Sequence, residues 1–233
     1  MRRVGRCAQL IACGLLLLPL RGGAAESDIQ FWPATTLNHG FSDSWGGHLQ
    51  IRARLDDDVS EIKDVLIRPF VSWDPVHSVT LELGYDYLHS FTSSTENRIW
   101  QAAGHRFTWR DLKVMNRLRL DERFVEDVSG VVVRFRYRFR ASHAIAGSVF
   151  YVAMSDEVFA NVNGQGSGPV YGFEQNRLRF ALGGSYFKRL RTEAGYEYQY
   201  SQSRSGTDKN THTFFIEVSV DTGTGRPFDW VSQ

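Results

Sequence analysis

The sequence predicts an all-β chain that forms an antiparallel, up-and-down transmembrane β-barrel of about ten strands, with twelve as the alternative, after a cleaved signal peptide. Three observations predict this fold. Beyond residue 44, apolar and polar residues alternate with a period of two along most of the chain, which is typical of strands with one apolar face. Short and long connections alternate between those strands. The N-terminus has the three-part pattern of an export signal.

The first element, residues 1–25, is predicted to be a signal peptide. Arg2, Arg3 and Arg6 precede an apolar run of eleven residues over 10–20, and small residues follow up to Ala25. A helix needs about 20 apolar residues to cross a bilayer, so a membrane anchor is the weaker alternative. Both cysteines lie in this segment. The mature chain would therefore hold no disulfide and no thiolate ligand.

Composition excludes two classes of protein. The chain has 27 Lys and Arg against 26 Asp and Glu, and loss of four arginines with the signal leaves 23 against 26, a net charge of about −3. Without a basic excess there is little to neutralise the phosphates of a nucleic acid. The mean hydropathy of −0.31 argues against a helical membrane bundle. It does not argue against a barrel, whose strands are apolar on one face only.

Ten segments carry the period-two pattern. In one of them Val79, Leu81 and Leu83 alternate with Thr80 and Glu82. The predicted strands are 45–55, 63–74, 77–89, 97–109, 112–123, 130–140, 144–155, 173–187, 190–201 and 211–220. They make residues 45–220 the barrel and 221–233 a C-terminal tail. Residues 26–44 form an N-terminal segment, either an extra strand or a periplasmic extension. An extra strand would break the even count usual for these barrels.

The connections and aromatic residues support the same fold. The short turns are predicted at 74–76, 110–111, 141–143 and 188–189, and the longer links at 56–62, 90–96, 124–129, 156–172 and 202–210. Aromatic residues are predicted to form one belt near the short turns (Trp45, Trp73, Trp109, Phe139, Phe187) and another near the long loops (Tyr85, Tyr87, Trp100, Tyr198, Tyr200). Two belts flanking an aliphatic band are typical of membrane interfaces. A soluble lipocalin-like barrel is the alternative, with apolar side chains inside and arginines outside.

Several motifs run in order along the mature chain. They are Trp32, Asp58–Ile62, Gly84–Tyr87, Glu96–Gln101, Asn116–Phe124, Arg134–Arg138, Asp156–Asn163, Gly172–Leu178 and Gly195–Gln199. In these motifs the chain resembles the bacterial outer-membrane barrels catalogued as domain of unknown function 2490. The resemblance implies an outer-membrane β-barrel and supplies no activity. One departure is that many outer-membrane barrels end on an aromatic residue, whereas this chain continues past Val220 to Gln233.

The polar face of the strands supplies the candidate functional residues. Predicted to line the lumen are Arg52, Arg54, Arg68, Arg117, Arg119, Arg134, Arg136, Arg138, Arg140, Arg177, Arg179 and Arg191, with Glu82, Glu193, Glu197 and Glu217 and the further acids Asp86 and Asp121. Two interpretations remain open. The lumen is largely filled by arginine–carboxylate pairs, or it is a narrow anion-selective path for small acidic solutes.

A hydrolase or acyltransferase at the outer rim is the third hypothesis, because a histidine beside carboxylates can activate water or a hydroxyl group. The candidate pairs are Asp86 with His89, Asp156 with Glu157, and Asp121 with Glu122. No complete catalytic motif is found, so an enzyme is not the expected function. The seven histidines lack the spacing of a metal site, and no cofactor is predicted. The expected setting is the outer membrane of a Gram-negative bacterium. The expected partners are its lipid, lipopolysaccharide and the barrel-assembly machinery, with the protein itself a monomer.

Overall fold

The computed structural model describes residues 26–56, 58–164, 169, 171–187, 189–203 and 207–223. Within them the chain is all β and closes into a single barrel of eleven strands in sequence order. The all-β barrel expected from the alternation is therefore confirmed. The predicted signal peptide and residues 224–233 of the predicted tail lie outside the described residues.

Each strand is long enough to show six or more alternations of its side chains. The strands are β1 (Glu26–Gly40), β2 (Trp45–Asp56), β3 (Glu61–Val76), β4 (Val79–Ser90), β5 (Glu96–Trp109), β6 (Leu112–Val125), β7 (Val132–Ala144), β8 (Phe150–Asn161), β9 (Gly172–Tyr186), β10 (Leu190–Ser201) and β11 (Lys209–Asp221).

Strand β1 is the additional strand that makes the total eleven rather than the predicted ten. It pairs antiparallel with β2 and parallel with β11, in register from Glu26↔Lys209 to Asn38↔Asp221. In a barrel of consecutive antiparallel strands, an odd number makes the first and last strands run in the same direction. Residues 26–44 thus supply the extra strand rather than a periplasmic extension. Pro33 obscures this strand in the sequence, because proline donates no ladder hydrogen bond. The β1–β2 pairing is interrupted at that point.

The connection between β7 and β8 is also different from the prediction. Residues 141–143, expected to form a tight turn, continue β7 to Ala144, and the connection is 145–149. As a result β8 runs to Asn161, and the following loop is 162–171 rather than 156–172. Strand β8 alternates weakly in the sequence because small residues such as Ala153 and Ser155 occupy its inner face.

Connections sort by length between the two ends of the barrel. At one end, which we call the short-turn end, they are 41–44, 77–78, 110–111, 145–149 and 187–189. At the other, the long-loop end, they are 57–60, 91–95, 126–131, 162–171 and 202–208. Strand β1 begins at the long-loop end, and β11 finishes at the short-turn end.

The barrel wall is apolar outside and polar inside. Exposed on its outer surface are Ile29, Leu37, Leu49, Ile51, Ile67, Val71, Leu81, Leu83, Ile99, Leu118, Phe135, Val152, Met154, Phe180, Leu182, Phe214 and Ile216. Facing inward, the buried set is dominated by arginines, carboxylates and hydroxyl groups. This is the reverse of a soluble lipocalin-like barrel. None of the described residues forms a helix long and apolar enough to cross a membrane.

Exposed aromatic residues lie near both ends of the wall. Trp45 and Trp73 stack at the short-turn end with ring centroids 5.7 Å apart, and Phe187 is 94% exposed there. At the long-loop end, Tyr85 and Tyr87 point outward. Trp100, expected in that belt, is instead fully buried inside the barrel. It shares the inner face of β5 with Glu96 and Arg98, so its strand parity outweighs the general tendency of tryptophan to lie at a membrane interface.

Candidate functional site in the barrel lumen

The structure places all sixteen of the predicted lumen-lining residues on the inner face of their strands. At least fourteen take part in ion pairs there, and Arg138 and Arg191 line cavities of the lumen. The strand register brings these pairs together, because inward residues of neighbouring strands lie side by side around a closed barrel.

Asp86 is the centre of the first ion-pair cluster. Its two carboxylate oxygens accept a bidentate pair of hydrogen bonds from Arg68, both at 2.7 Å. Arg119 adds a third at 2.8 Å and the Trp100 indole N–H a fourth at 2.6 Å. Gly84 lies against that indole ring, where the β-carbon of any other residue would collide with it. The cluster fixes a fully buried carboxylate with charge-assisted hydrogen bonds from three strands.

A second cluster lies towards the long-loop end. Glu96 accepts bidentate hydrogen bonds from Arg98 (2.6 and 2.8 Å) and from Arg123 (2.5 and 3.1 Å). Glu174 accepts from Arg123 at 3.0 Å and from Arg134 at 3.1 Å. A register shift in the β8–β9 ladder, between Phe159 and Ala160, makes Glu174 the extra residue of β9 and turns it into the lumen.

The opposite wall holds Glu197 and Glu217. Arg179 bridges them, at 2.8 Å to Glu197 and 3.0 Å to Glu217. Arg52 reaches Glu217 at 3.2 Å, and Arg177 lies 3.7 Å from Glu197. Each carboxylate here serves two arginines, so positive charge exceeds negative charge on this wall.

Towards the short-turn end the pairs are more isolated. Arg140 pairs with Glu193, which also accepts a hydrogen bond from the Tyr151 hydroxyl at 2.7 Å. Arg117 pairs with Glu82 at 2.6 Å. These contacts lie between the two walls of the lumen near its short-turn end.

Four of the aromatic rings inside the lumen lie beneath arginine side chains. Arg119 lies 4.0 Å from the Trp100 ring, Arg179 4.1 Å from Phe215, Arg136 4.5 Å from Phe159 and Arg54 4.6 Å from Trp32. Such stacking holds a guanidinium by cation–π attraction while leaving its edge free for hydrogen bonds. The rings therefore set the orientation of the arginine forks.

Several lumen residues are absent from the predicted set. They include Arg98, Arg123, Arg106, Asp64, Glu96, Glu157, Glu174 and the four aromatic rings beneath arginines. The inward direction of Arg98 and Arg123 could be predicted from the sequence, because each lies two residues from an inward-facing residue of its own strand, Trp100 and Asp121. The direction of Glu174 could not be predicted in this way, since it comes from the bulge.

The lumen contains two cavities. The larger, of about 520 Å³, opens between long-loop residues that include Ser93, Ser94 and Val128. The smaller, of about 400 Å³, lies at the short-turn end beside Tyr151. Arg140 lines both cavities, so the Arg140–Glu193 pair lies where they approach each other.

The three pairs proposed for an enzyme site at the outer rim are not brought together by the fold. Asp86 is enclosed by arginines, whereas His89 lies on the outer face of β4, three residues along, and approaches Thr95 at 3.4 Å. Adjacent residues of a strand point to opposite faces. For this reason Glu122 lies outside while Asp121 is inside.

The third hypothetical pair separates in the same way. Asp156 accepts a hydrogen bond from Asn176 at 2.6 Å on the outer face, whereas Glu157 pairs with Arg136 inside at 2.7 Å. Among the described residues, no group of three or more His, Cys, Asp or Glu side chains is arranged to hold a metal ion.

Comparison with known proteins gives a family and one curated relative. A family model described as a protein of unknown function (DUF2490) matches residues 29–210. An uncharacterized protein of Methylorubrum extorquens is 24% identical over 206 residues, which cover 82% of this chain and 88% of that protein. No solved structure matches the chain.

Proposed function

Since the chain belongs to the DUF2490 family, whose function is unknown, we propose its function from its own side chains: a monomeric outer-membrane β-barrel with an arginine-rich lumen closed by ion pairs. Its setting in this proposal is the outer membrane of a Gram-negative bacterium, reached after removal of residues 1–25. Its partners are the surrounding lipid and lipopolysaccharide and the machinery that assembles such barrels.

The observation that carries the proposal is the distribution of residues across the wall. Exposed leucine, isoleucine, valine and phenylalanine side chains cover the outside, while the charges lie inside. An apolar belt of this extent is unfavourable in water and favourable in hydrocarbon. A closed barrel also leaves no unpaired strand edge, as a bilayer requires.

Fractionation tests the location. Cells expressing the chain are separated into periplasm, inner membrane and outer membrane, and the protein is followed by immunoblot together with a shift in gel mobility on heating. Recovery of a folded form in the outer-membrane fraction supports the proposal. Recovery in the soluble periplasm contradicts it.

A narrow anion-selective channel is the second candidate, and the two cavities favour it. They approach each other at Arg140, so a small movement of the Arg140–Glu193 pair would connect them. Arginine rings are a recognised way to select anions in a pore.

Planar-bilayer recording separates the two candidates. In the closed form, the wild-type barrel shows no steady current. Replacing both Arg140 and Glu193 with Ala removes the pair without stranding either charge, and we expect an anion-selective current. The matched control replaces Arg106 and Asp74, a 2.6 Å pair that lines neither cavity, and is expected to stay silent. Steady anion current from the wild type would instead establish the channel.

A further inference from the structure

The larger cavity is more positively charged than the ion pairs around it can neutralise. Its lining contains eleven arginines and Lys63. Arg119 pairs with Asp86, as the lining residue Arg68 does, and brings the number of cations in this ion-pair network to thirteen. Ten carboxylates lie in or pair with the network: Asp56, Asp64, Asp86, Glu96, Asp121, Glu157, Glu174, Glu193, Glu197 and Glu217. An excess of three positive charges remains among the described residues.

Arg138 is the residue on which this excess is most localised. It is only 7% exposed, it lines the cavity, and its Nε–H has no hydrogen-bond acceptor. Its cross-strand neighbour on β8 is Glu157, but that carboxylate is bonded to Arg136 at 2.7 and 3.1 Å. Arg138 forms no ion pair within the part of the chain that the structure describes.

Glu157 attracts Arg138, but this carboxylate is shared with Arg136, and the other charges near Arg138 are positive. Arg117, Arg140 and Arg179 are near enough to repel it, and Arg117 is its partner across the β6–β7 ladder. A buried guanidinium that shares its nearest carboxylate and has an N–H without an acceptor is costly. A bound anion would remove that cost and occupy the free donor.

From this arrangement we infer that the larger cavity is a binding site for a small organic or inorganic anion carrying two or three carboxylate or phosphate groups, held by Arg138. Its volume of about 520 Å³ lies in the range of small-molecule sites. Arginine forks match both carboxylate and phosphate oxygens. Ser155 and Gln175 in the lining add neutral polar groups.

The inference rests on the proposed function only in placing the mouth of the cavity at the outer surface of the cell. Binding itself is a property of the folded barrel in detergent. The purified full chain is titrated by calorimetry at constant ionic strength with citrate and, separately, with pyrophosphate. Acetate and sorbitol serve as a monoanionic and a neutral probe.

We expect wild-type protein to bind citrate or pyrophosphate, and acetate and sorbitol much more weakly. Arg138→Gln should weaken that binding by about tenfold or more, the loss typical of a hydrogen bond to a charged group. The variant is expected to fold, because no carboxylate loses its partner, and heat-dependent gel mobility verifies this. Arg191→Gln makes the same change in the smaller cavity and should alter binding less than twofold.

The relative strength of the two probes identifies the source of the charge: citrate for carboxylates, pyrophosphate for phosphates. Absence of binding by the wild type, or equal affinity in Arg138→Gln, overturns the inference. If the anion does not bind but the barrel fractionates with the outer membrane, the anion-site inference fails and the proposed function stands. If the anion binds but the chain is found in the periplasm, the anion-site inference stands and the proposed function fails.

Discussion

Asp86 shows how strongly a single lumen residue depends on its neighbours. It has no exposed surface and receives hydrogen bonds from Arg68, Arg119 and Trp100. A carboxylate in this position lets two buried guanidinium groups lie close together. Removing Asp86 would therefore leave two buried guanidinium groups without the carboxylate they share, and the loss of stability measures its contribution.

Replacing Asp86 with Ala is expected to destabilise the barrel by about 3–5 kcal/mol, because Arg68 and Arg119 lose the carboxylate they share. The measurement is the midpoint of thermal unfolding, followed by heat-dependent gel mobility. Asp43→Ala is the control, since Asp43 is exposed in the 41–44 turn and should shift stability by no more than about 0.5 kcal/mol. Equal midpoints for the two variants would show that the cluster does not stabilise the fold.

At the scale of single residues, strand parity in the sequence predicts the inner arginines well. It succeeds because the alternation continues unbroken through Arg134, Arg136, Arg138 and Arg140. It fails at Glu174, where a bulge reverses the direction of one residue. Strand parity also places Trp100 correctly, because Trp100 has the parity of Arg98 and lies inside with it rather than in the predicted aromatic belt.

Strand β1 decides how the barrel closes. It lies between β2 and β11, and the seam with β11 is parallel over 13 residue pairs. Thr35 faces Val218 across this seam, with both side chains on the outer surface. A barrel of ten strands would place β2 beside β11 and leave residue 35 away from residue 218.

A cross-link tests that seam directly. Residues 26–233 contain no cysteine, since both cysteines of the chain lie within residues 1–25. Thr35→Cys combined with Val218→Cys should form a disulfide on oxidation, because neighbouring strands lie within disulfide reach. Thr35→Cys with Phe180→Cys, three strands apart in the barrel order, should stay reduced. Non-reducing electrophoresis and peptide mass measurement distinguish the two, and cross-linking of the second pair alone would exclude the parallel seam.

The elements themselves were largely predictable where one face is uniformly apolar, as in β4 and β10. The errors fall on β1, where Pro33 interrupts the ladder, and on β8, where small inner residues weaken the pattern. Closure between β1 and β11 is a contact between the two ends of the chain. Local periodicity carries no information about such a contact.

For the whole molecule, eleven strands put the start of β1 and the end of β11 at opposite ends of the barrel. In the proposed outer-membrane setting, short turns on the periplasmic side, as is usual in such barrels, would place the start of β1 at the outer surface. This follows from the odd number of strands. In a barrel of ten or twelve strands, the first strand would begin and the last strand would end at the same end of the barrel.

An epitope tag inserted before Asp28 is therefore expected to bind antibody on intact cells. The same tag in the 77–78 turn at the short-turn end should bind only after the outer membrane is permeabilised. Flow cytometry with and without permeabilisation gives the comparison. The opposite pattern would reverse the orientation, and access to both tags on intact cells would contradict a membrane-spanning barrel.

The arginines of β7 also constrain how the proposed membrane barrel would enter a bilayer. Arg134, Arg136 and Arg140 pair with carboxylates on other strands: Asp121 on β6, Glu157 on β8, Glu174 on β9 and Glu193 on β10. An arginine facing lipid near the midplane costs about 2–4 kcal/mol, and β7 carries four of them. Inserted alone, this strand would be strongly unfavourable. For the proposed membrane barrel we therefore expect cooperative insertion, with at least the β6–β10 portion assembled before it crosses the hydrocarbon core.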